Sequence, residues 1–410
     1  MPLEAPVTSA ARSAIQVSSC FDAVADPICR TAGALGRAGL RSRLNNMALM
    51  RAALRLALVL SCLLVAAALV AGCGSDSSST DSTSASAGDA ESRPAPPKSD
   101  FPSPEGRTLR ELLKAADSRA ELVVSPAAMV FYKGENRYPF GVFELDRAQV
   151  PDAELALYIA KTPAPKAGAK SKSGNKGPAA KAQEQALDQP AVGPFPASIE
   201  SLVTQPAFRA LTTSDDPDAA SVVYSTKLDF PSNGEWRIAA LVKEDGELKG
   251  TLLSGSAVVG EFSGVPRPGD KAPEIHTPTT EDVGGDLAQL TTRIPPDTQN
   301  KVDYADALGK EPIVLLFATP QFCQSRVCGP VVDVAEQVKE EYGDKAAFIH
   351  MEIFRDNDPG KDTRPQVQAF NLPTEPWLFT IDRQGDVSSA IEGAFGPELL
   401  ISAIKKAIAE

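Results

Sequence analysis

An unbroken apolar run at residues 312–318, Pro-Ile-Val-Leu-Leu-Phe-Ala, most constrains how this chain can fold. A strand that is apolar at every position is buried on both faces, which requires a sheet covered by helices on each side. The apolar spacing then predicts, in chain order, a helix at Val331–Tyr342, a strand at Ala346–Phe354, a helix at Pro365–Phe370, strands at Trp377–Asp382 and Val387–Ala394, and a helix at Pro397–Ala409. The predicted order is β-α-β-α-β-β-α.

Two cysteines, Cys323 and Cys328, lie between the first of these strands and the helix after it. If the residues between them were all helical, their α-carbons would be roughly 8–9 Å apart, beyond the disulfide range of about 4.4–6.8 Å. A bridge therefore requires an irregular loop, and Gly329-Pro330 favours a helix that begins just after Cys328. A thiol at a helix N-terminus ionises more easily, because the helix dipole stabilises the thiolate. The pair is a candidate redox site, with a structural disulfide as the alternative.

This arrangement resembles the thioredoxin superfamily over about residues 268–410. The segment Pro268–Glu274 is similar to the entry segment of the redoxin and peroxiredoxin branch. The segment Phe370–Pro376, Phe-Asn-Leu-Pro-Thr-Glu-Pro, matches the stretch that leads to the cis-proline of that fold. The resemblance implies an α/β thioredoxin fold at the C-terminus, a cis Glu375–Pro376 bond and a substrate groove formed by Glu375, Pro376 and Trp377.

The chain departs from the thioredoxin pattern in its cysteine spacing, because thioredoxins have two intervening residues where this chain has four. The distance from the strand favours Cys323 as the nucleophile, whereas Cys328-Gly-Pro resembles the start of the thioredoxin Cys-Gly-Pro-Cys; both remain open. Arg326 either adds positive potential or is an exposed loop residue. The buried acid that thioredoxins place before the active site has no match, since Phe317 lies near its position.

Peroxiredoxins supply one alternative, because some of them also place four residues between their two cysteines. Their Pro-x-x-x-Thr-x-x-Cys motif is partly matched. Thr319, a candidate supporting residue, lies four residues before Cys323 rather than three, and Leu316 stands where the proline would be. Thiol peroxidase activity is therefore an alternative function.

Residues 106–263 have a different pattern, an alternation of apolar and polar residues that predicts an all-β sandwich. The segment around Trp236 resembles the core strand of immunoglobulin-like sandwiches, which implies that fold. Predicted strands lie at Tyr138–Leu145, Glu154–Ala160, Ser221–Tyr224, Glu235–Val242 and Thr251–Phe262. Trp236, Ile238, Ala240 and Val242 fall on one face, and Asp245-Gly246 predicts a two-residue hairpin turn. With one Met, Met129, and no His, this segment does not predict a copper site of the Met/His kind.

Residues 162–192 interrupt this domain with Pro, Gly, Ala, Ser and five lysines, and we expect a disordered insertion. A solvated loop is the simpler interpretation. Attraction of the lysines to an anionic membrane surface is the alternative.

Residues 47–72 predict a signal peptide, with a basic start, an apolar run from Leu56 and small residues before Cys73. Val-Ala-Gly-Cys resembles the bacterial lipobox, which implies that Cys73 is lipidated and anchors the chain. A transmembrane helix is the alternative, since about 17 apolar residues is the lower limit for spanning a bilayer. Residues 1–46 indicate either a start assigned too early, with Met47 or Met50 as the true one, or an organelle transit segment.

Residues 73–105 predict a flexible tether that is rich in Ser, Asp, Ala and Pro. Removing residues 1–72, which hold seven Arg and three acidic residues, takes the net charge from −12 to −16. An acidic protein repels nucleic-acid phosphates, so nucleic-acid binding is not expected.

Cysteine usage points to function, because an exported chain with Cys73 lipidated would keep only Cys323 and Cys328, and these are expected to pair. The sequence predicts a thiol–disulfide oxidoreductase on the extracytoplasmic face of the bacterial membrane. It would act on protein thiols or disulfides with an unidentified redox partner, without a metal or a cofactor other than its own disulfide. Two binding alternatives remain: a Sco-like copper chaperone, for which His276 and His350 are the only histidines, and an interaction lipoprotein with an inert disulfide.

Overall fold

The computed structural model describes residues 90–164 and 177–410, which belong to one compact unit. The predicted N-terminal extension, the signal peptide, Cys73 and residues 73–89 of the tether lie outside the described residues. So do residues 165–176, the most lysine-rich part of the predicted insertion. The prediction of a flexible tether was wrong for residues 90–105, because Arg93 pairs with Ile199 of the sandwich and Phe101 is buried against its sheet. Across the described part of the chain, no helix has the length and apolar character needed to cross a membrane.

Two packed sheets make up the first part of the described chain. Their strands are β1 (Ser118–Arg119), β2 (Leu122–Pro126), β3 (Gly134–Glu144), β4 (Glu154–Lys161), β5 (Val192–Pro196), β6 (Ser198–Ser201), β7 (Val222–Phe230), β8 (Gly234–Glu244) and β9 (Glu247–Val259). The sheet orders are β1-β9-β8-β4-β5 and β2-β3-β7-β6. When β2 to β9 are lettered in chain order, strands A, B, E and D share one sheet and C′, C, F and G share the other. This is the connectivity that an immunoglobulin-like sandwich requires.

The sandwich core lies between the two sheets and is rich in aromatic side chains. Trp236, Ile238, Ala240 and Val242 all belong to it, so the predicted buried face of β8 is confirmed. The predicted hairpin is also confirmed, because β8 and β9 are joined by Asp245 (φ 53°) and Gly246 (φ 81°). Positive φ at both turn residues is the geometry of a type I′ turn, which suits the twist of the flanking strands.

Short helices cover the outer face of the five-stranded sheet. They are α1 (Leu109–Ala115) and α2 (Pro178–Ala186). A third short helix, α3 (Leu211–Ser214), lies between β6 and β7 and contacts the helix Cys328–Tyr342. Leu109 and Leu112 of α1 pack on Ala156 and Tyr158 of β4. Strand β4 is therefore buried on both faces.

The prediction of disorder was wrong for residues 177–192, where α2 forms. Ala182 and Ala186 of this helix are buried, and Arg110 of α1 pairs with Glu184 at 3.0 Å and with Asp188 at 2.6 Å. The segment is alanine-rich and can form a helix, but a helix this short is stable only when its apolar face packs on other elements. Here α1 and the sheet supply those contacts. Low-complexity composition alone did not reveal that contact.

The second part of the described chain has the predicted element order. Its elements are α4 (Tyr304–Ala307), β10 (Ile313–Phe317), α5 (Cys328–Tyr342), β11 (Ala347–Met351), α6 (Pro365–Ala369), β12 (Trp377–Ile381), β13 (Val387–Glu392) and α7 (Pro397–Ala409). Short 3₁₀ turns elsewhere lie at Lys98–Asp100, Pro206–Phe208, Leu287–Gln289 and Arg355–Asn357. The sheet order is β11-β10-β12-β13, with β10 parallel to β11 and antiparallel to β12, and β12 antiparallel to β13.

Both faces of this second sheet are covered, as the apolar run at 312–318 predicts. Helices α5 and α7 cover one face, and Tyr304 of α4 with Phe370, just after α6, covers the other. All five residues of β10 are buried. The carboxyl end of β10, where the cysteine loop begins, lies beside the carboxyl end of parallel β11.

The two parts share core residues across the Pro/Gly segment that separates them in sequence. Leu202 and Val223 of the sandwich pack with α5 and α7, and Val130 packs with the opposite face of the second sheet. Arg137 of β3 donates to the Ala394 carbonyl at 2.7 Å and to the Glu200 carboxylate at 2.9 Å. The sandwich therefore supports the second sheet directly.

Candidate redox-active site

The two cysteines are joined as a disulfide across the loop that leads from β10 into α5. Their α-carbons are 5.9 Å apart, which an irregular loop permits and six helical residues would not. Arg326 within the loop has a positive φ of 58°. The prediction of an irregular connection is confirmed.

The helix begins at Cys328 itself rather than just after it, so Pro330 is its third residue and not its first. Proline is tolerated there because the first four N–H groups of a helix have no acceptor within the helix. The first hydrogen bond from an N–H group back to the carbonyl four residues earlier runs from Val331 to Val327, at 3.0 Å. No side chain caps this end of α5, which leaves its dipole available to a sulfur at Cys328.

The two sulfurs differ in access. Cys323 is partly exposed on the loop, and its sulfur lies 3.2 Å from the Ser325 hydroxyl. Cys328 is fully buried in the core formed by α5, α7 and the sheet. An incoming partner therefore reaches Cys323 first.

Arg326 lies on the surface but is held by the sandwich. Its guanidinium forms an ion pair with Asp218 and lies 4.0 Å from Asp216, and its carbonyl accepts a hydrogen bond from the Ala220 N–H at 3.2 Å. These acidic residues belong to the connection between β6 and β7. The positive charge of Arg326 is balanced locally rather than directed freely at the disulfide.

Glu375 brings a carboxylate to the disulfide. The Glu375–Pro376 bond is cis, as the sequence resemblance implied. One carboxylate oxygen of Glu375 and the sulfurs of Cys323 and Cys328 all lie within 4.8 Å of one another. Burial, together with the charge of Glu352, raises the pKa of Glu375 to about 7.

The other two predicted groove residues lie deeper than expected. Pro376 is buried, and Trp377 is only 3% exposed, with its ring stacked on Phe379 at 5.6 Å. The Trp377 indole N–H donates to the Thr374 hydroxyl at 3.0 Å. Trp377 therefore supports the cis-proline loop from the core instead of lining its surface.

Thr319 and Glu352 are buried polar residues at the carboxyl ends of neighbouring strands. Glu352 follows β11 and accepts a hydrogen bond from the Thr292 N–H at 2.6 Å through one oxygen. Within the described residues, the other Glu352 oxygen, the Thr319 hydroxyl and one Glu375 oxygen are buried without a hydrogen-bond partner. The sequence analysis missed Glu352, because the predicted strand Ala346–Phe354 ran through it; an acid at the end of a parallel strand was the available signal.

A buried ion pair lies behind the cysteine loop. His350 Nδ1 is 2.8 Å from an Asp297 carboxylate oxygen, and His350 Nε2 is 3.1 Å from the Ala318 carbonyl at the start of the loop. Burial alone would lower the pKa of His350, but the Asp297 charge raises it to about 9. Burial alone would raise the pKa of Asp297, but His350 lowers it to about 2.

The histidines do not complete a copper site of the Sco type. Both ring nitrogens of His350 are engaged by Asp297 and Ala318, and exposed His276 pairs with Asp303 at 2.6 Å. Across residues 90–164 and 177–410, the one group of three or more potential metal ligands is Cys323, Cys328 and Glu375.

A separate cleft of about 1400 Å³ lies between the sandwich and the edge of the second sheet. It is bordered by strands β5, β6 and β13, and neither cysteine lines it. The chemistry of the disulfide is therefore located outside this cleft.

No protein-family model and no curated protein matches the chain. A crystal structure of a putative thiol:disulfide interchange protein DsbE from Chlorobium tepidum is 20% identical, with a TM-score of 0.24. The match covers 35% of this chain and 99% of that one. At this identity and score, the functional inference has to rest on the geometry of the present chain.

Proposed function

We propose that this chain is a thiol–disulfide oxidoreductase that acts on protein thiols or disulfides through Cys323 and Cys328. The observation that carries the proposal is the disulfide itself: a partly exposed Cys323 on a loop is bonded to a buried Cys328 at the first position of α5. This asymmetry separates an attacking sulfur from a resolving one. A purely structural bridge does not require it.

The proposed reaction transfers two electrons. With the pair reduced, the Cys323 thiolate attacks a substrate disulfide, forms a mixed disulfide and releases one substrate thiolate. The Cys328 thiolate then attacks the Cys323 sulfur, restores the Cys323–Cys328 bond and releases the second substrate thiolate. The protein pair is oxidised as the substrate is reduced, and the two substrate thiolates take up the protons that the pair lost. The reverse sequence oxidises a substrate dithiol.

The position of Cys328 supports the second step. A sulfur at the first residue of an uncapped helix is stabilised as a thiolate, which makes it both a better leaving group and a more available nucleophile. The cis Glu375–Pro376 bond lies beside the pair and gives the surface on which we propose that an extended substrate segment docks.

We further propose a thioredoxin fold for residues 268–410 and an extracytoplasmic location with a lipid anchor at Cys73. The first rests on the element order and strand directions. The second rests on the sequence alone, on the apolar segment that ends in Val-Ala-Gly-Cys.

The test is a redox titration of the full-length chain in a graded dithiol/disulfide buffer, with thiols counted by alkylation and intact mass. The matched control is the Cys323→Ser, Cys328→Ser double variant, which subtracts the other four cysteines. We expect a reversible two-electron transition between about −270 and −120 mV. A pair that stays oxidised below about −300 mV would make the bridge structural and end the oxidoreductase proposal.

A further inference from the structure

Three potential metal ligands converge at the disulfide from separate elements. Cys323 comes from the loop, Cys328 from the first turn of α5, and Glu375 from the residue before the cis-proline. Their ligand atoms lie within 4.8 Å of one another. We propose that the reduced protein binds one Zn²⁺ through Cys323, Cys328 and Glu375, with a fourth position open to water or to a substrate thiolate.

The spacing fits a tetrahedral site after small movements. Zn–S bonds of about 2.3 Å and Zn–O bonds of about 2.0–2.2 Å place ligand atoms about 3.5–3.8 Å apart in a tetrahedron. Starting from separations of up to 4.8 Å, the carboxylate must therefore approach by at most about 1.3 Å, and the sulfurs separate once their bond is reduced. Four intervening residues also lie within the Cys-x₂₋₄-Cys spacing that is typical of zinc sites.

The charges around the pair favour a dication in the reduced state. Two thiolates and one carboxylate would concentrate negative charge in a partly buried space. The guanidinium inside the motif, that of Arg326, is already paired with Asp218 and lies near Asp216. His350, whose ring bonds the first residue of the loop, is paired with Asp297.

A second observation, the lack of partners for two buried carboxylate oxygens, points to a ligand at this site. One carboxylate oxygen of Glu375 is buried without a hydrogen-bond partner among the described residues, and so is one oxygen of fully buried Glu352. Buried polar atoms are nearly always partnered in folded proteins. A cation bound by Glu375 would give the Glu375 carboxylate a partner.

The donor set favours zinc over other common metals. Thiolates exclude Mg²⁺ and Ca²⁺, which prefer oxygen ligands, and a carboxylate suits Zn²⁺ better than Cu(I). Binding would displace two thiol protons and occupy both sulfurs, so bound zinc would block disulfide exchange until it is released. The site departs from the sequence-based expectation of no metal, because spacing alone could not bring Glu375 to the cysteines.

The experiment uses the full-length chain with Cys20, Cys29, Cys62 and Cys73 replaced by serine, so that only the pair can supply sulfur. The protein is reduced with a phosphine, freed of reductant without oxygen, and titrated with Zn²⁺ against a chromophoric chelator. Co²⁺ replaces Zn²⁺ in a parallel sample, where thiolate-to-cobalt charge-transfer absorption reports sulfur ligation. The variants are Cys323→Ser, Cys328→Ser and Glu375→Gln, with exposed Glu398→Gln as the matched control.

We expect one zinc per chain, with loss of the cobalt–thiolate band in either cysteine variant. Glu375→Gln should weaken zinc binding by at least about tenfold. Removing a residue that only hydrogen-bonds to a metal ligand already lowers metal affinity by about this factor. Glu398→Gln should bind as the parent does. Circular dichroism and re-formation of the disulfide check that Glu375→Gln is folded, and Glu375→Asp, which keeps the carboxylate, should bind more tightly than Glu375→Gln.

The zinc proposal rests on the proposed function only in requiring that the pair can be reduced, and the outcomes separate the two. A pair that exchanges reversibly but binds no zinc, or binds it equally well in Glu375→Gln, overturns the zinc site and leaves the oxidoreductase. If only the phosphine reduces the pair, and the reduced pair then binds zinc through Glu375, the oxidoreductase proposal is overturned and the zinc site stands. Resistance to the phosphine overturns both.

Discussion

The Glu392 carboxylate at the end of β13 accepts a hydrogen bond from the Val130 N–H of the sandwich at 2.8 Å. Its other oxygen accepts from the Met129 N–H at 2.9 Å and from the Thr374 hydroxyl at 2.5 Å. Thr374 lies two residues before the cis-proline. One buried side chain therefore connects the sandwich, the edge of the second sheet and the loop beside the disulfide.

Glu392→Ala should destabilise the protein, because it leaves these donors without their acceptor. Each buried group left unpaired costs about 1–3 kcal/mol. Urea denaturation measures the free energy of unfolding, and exposed Glu398→Ala, with an expected change of at most about 1 kcal/mol from the helix dipole, is the control. Equal effects of the two variants would contradict a bridging role for Glu392.

Single cysteine variants should differ in reactivity. Cys328→Ser leaves partly exposed Cys323 free, whereas Cys323→Ser leaves fully buried Cys328. Alkylation of Cys328 should be at least about tenfold slower than alkylation of Cys323, because its sulfur reacts only after local opening. Rates are measured by mass spectrometry in the background without the other four cysteines, and faster reaction at Cys328 would reverse the assigned roles.

The His350–Asp297 pair should make stability depend on pH in a defined direction. The pKa of His350 is raised from 6.5 to about 9, so its contribution is complete below pH 6.5 and is lost as the pH rises through about 9. The pKa of Asp297 is lowered from 3.8 to about 2, so its contribution is complete above pH 3.8 and is lost as the pH falls through about 2. The pair should contribute most between these limits, from pH 3.8 to 6.5.

Asp297→Asn tests this pair, because it leaves a buried imidazole without its counter-charge. We expect a loss of about 3–5 kcal/mol near pH 6, the usual cost of removing one member of a buried pair. The difference in unfolding free energy between Asp297→Asn and the parent protein should become smaller toward pH 9. Denaturation at several pH values measures it. His350→Gln combined with Asp297→Asn should cost less than the sum of the two single changes, and additive costs would show that the residues do not interact.

Arg326→Gln should change little, because its ion pair with the sandwich is exposed. We expect less than about 1 kcal/mol in unfolding free energy, the usual value of a surface pair. Asp216→Asn with Asp218→Asn should instead free the Arg326 charge to stabilise the Cys323 thiolate, which raises the reduction potential. Redox titration of both variants checks this contrast, and an unchanged potential in the double variant would show that Arg326 does not act on the pair.

Several features of the protein follow from the sequence because they depend on local patterns. The apolar run at 312–318 predicted the doubly covered strand β10, and helix α7 was predicted at its observed bounds, Pro397–Ala409. The turn at Asp245-Gly246 followed from the ability of these residues to adopt positive φ. The spacing of Cys323 and Cys328 required an irregular loop by simple geometry.

The tertiary structure decided features that depend on contacts between distant segments. The order of α2 comes from packing against α1, and the exposure of Cys323 relative to Cys328 comes from the way α5 lies on the sheet. Glu375 approaches sulfurs that lie at least 47 positions before it in the chain. Arg326 pairs with Asp218, which is 108 positions away. The sequence by itself determined the strands and helices of the second part of the chain and the loop that joins its two cysteines, since these depend on neighbouring residues. The charges around the cysteine pair were decided by folding, because they come from segments that local patterns cannot bring together.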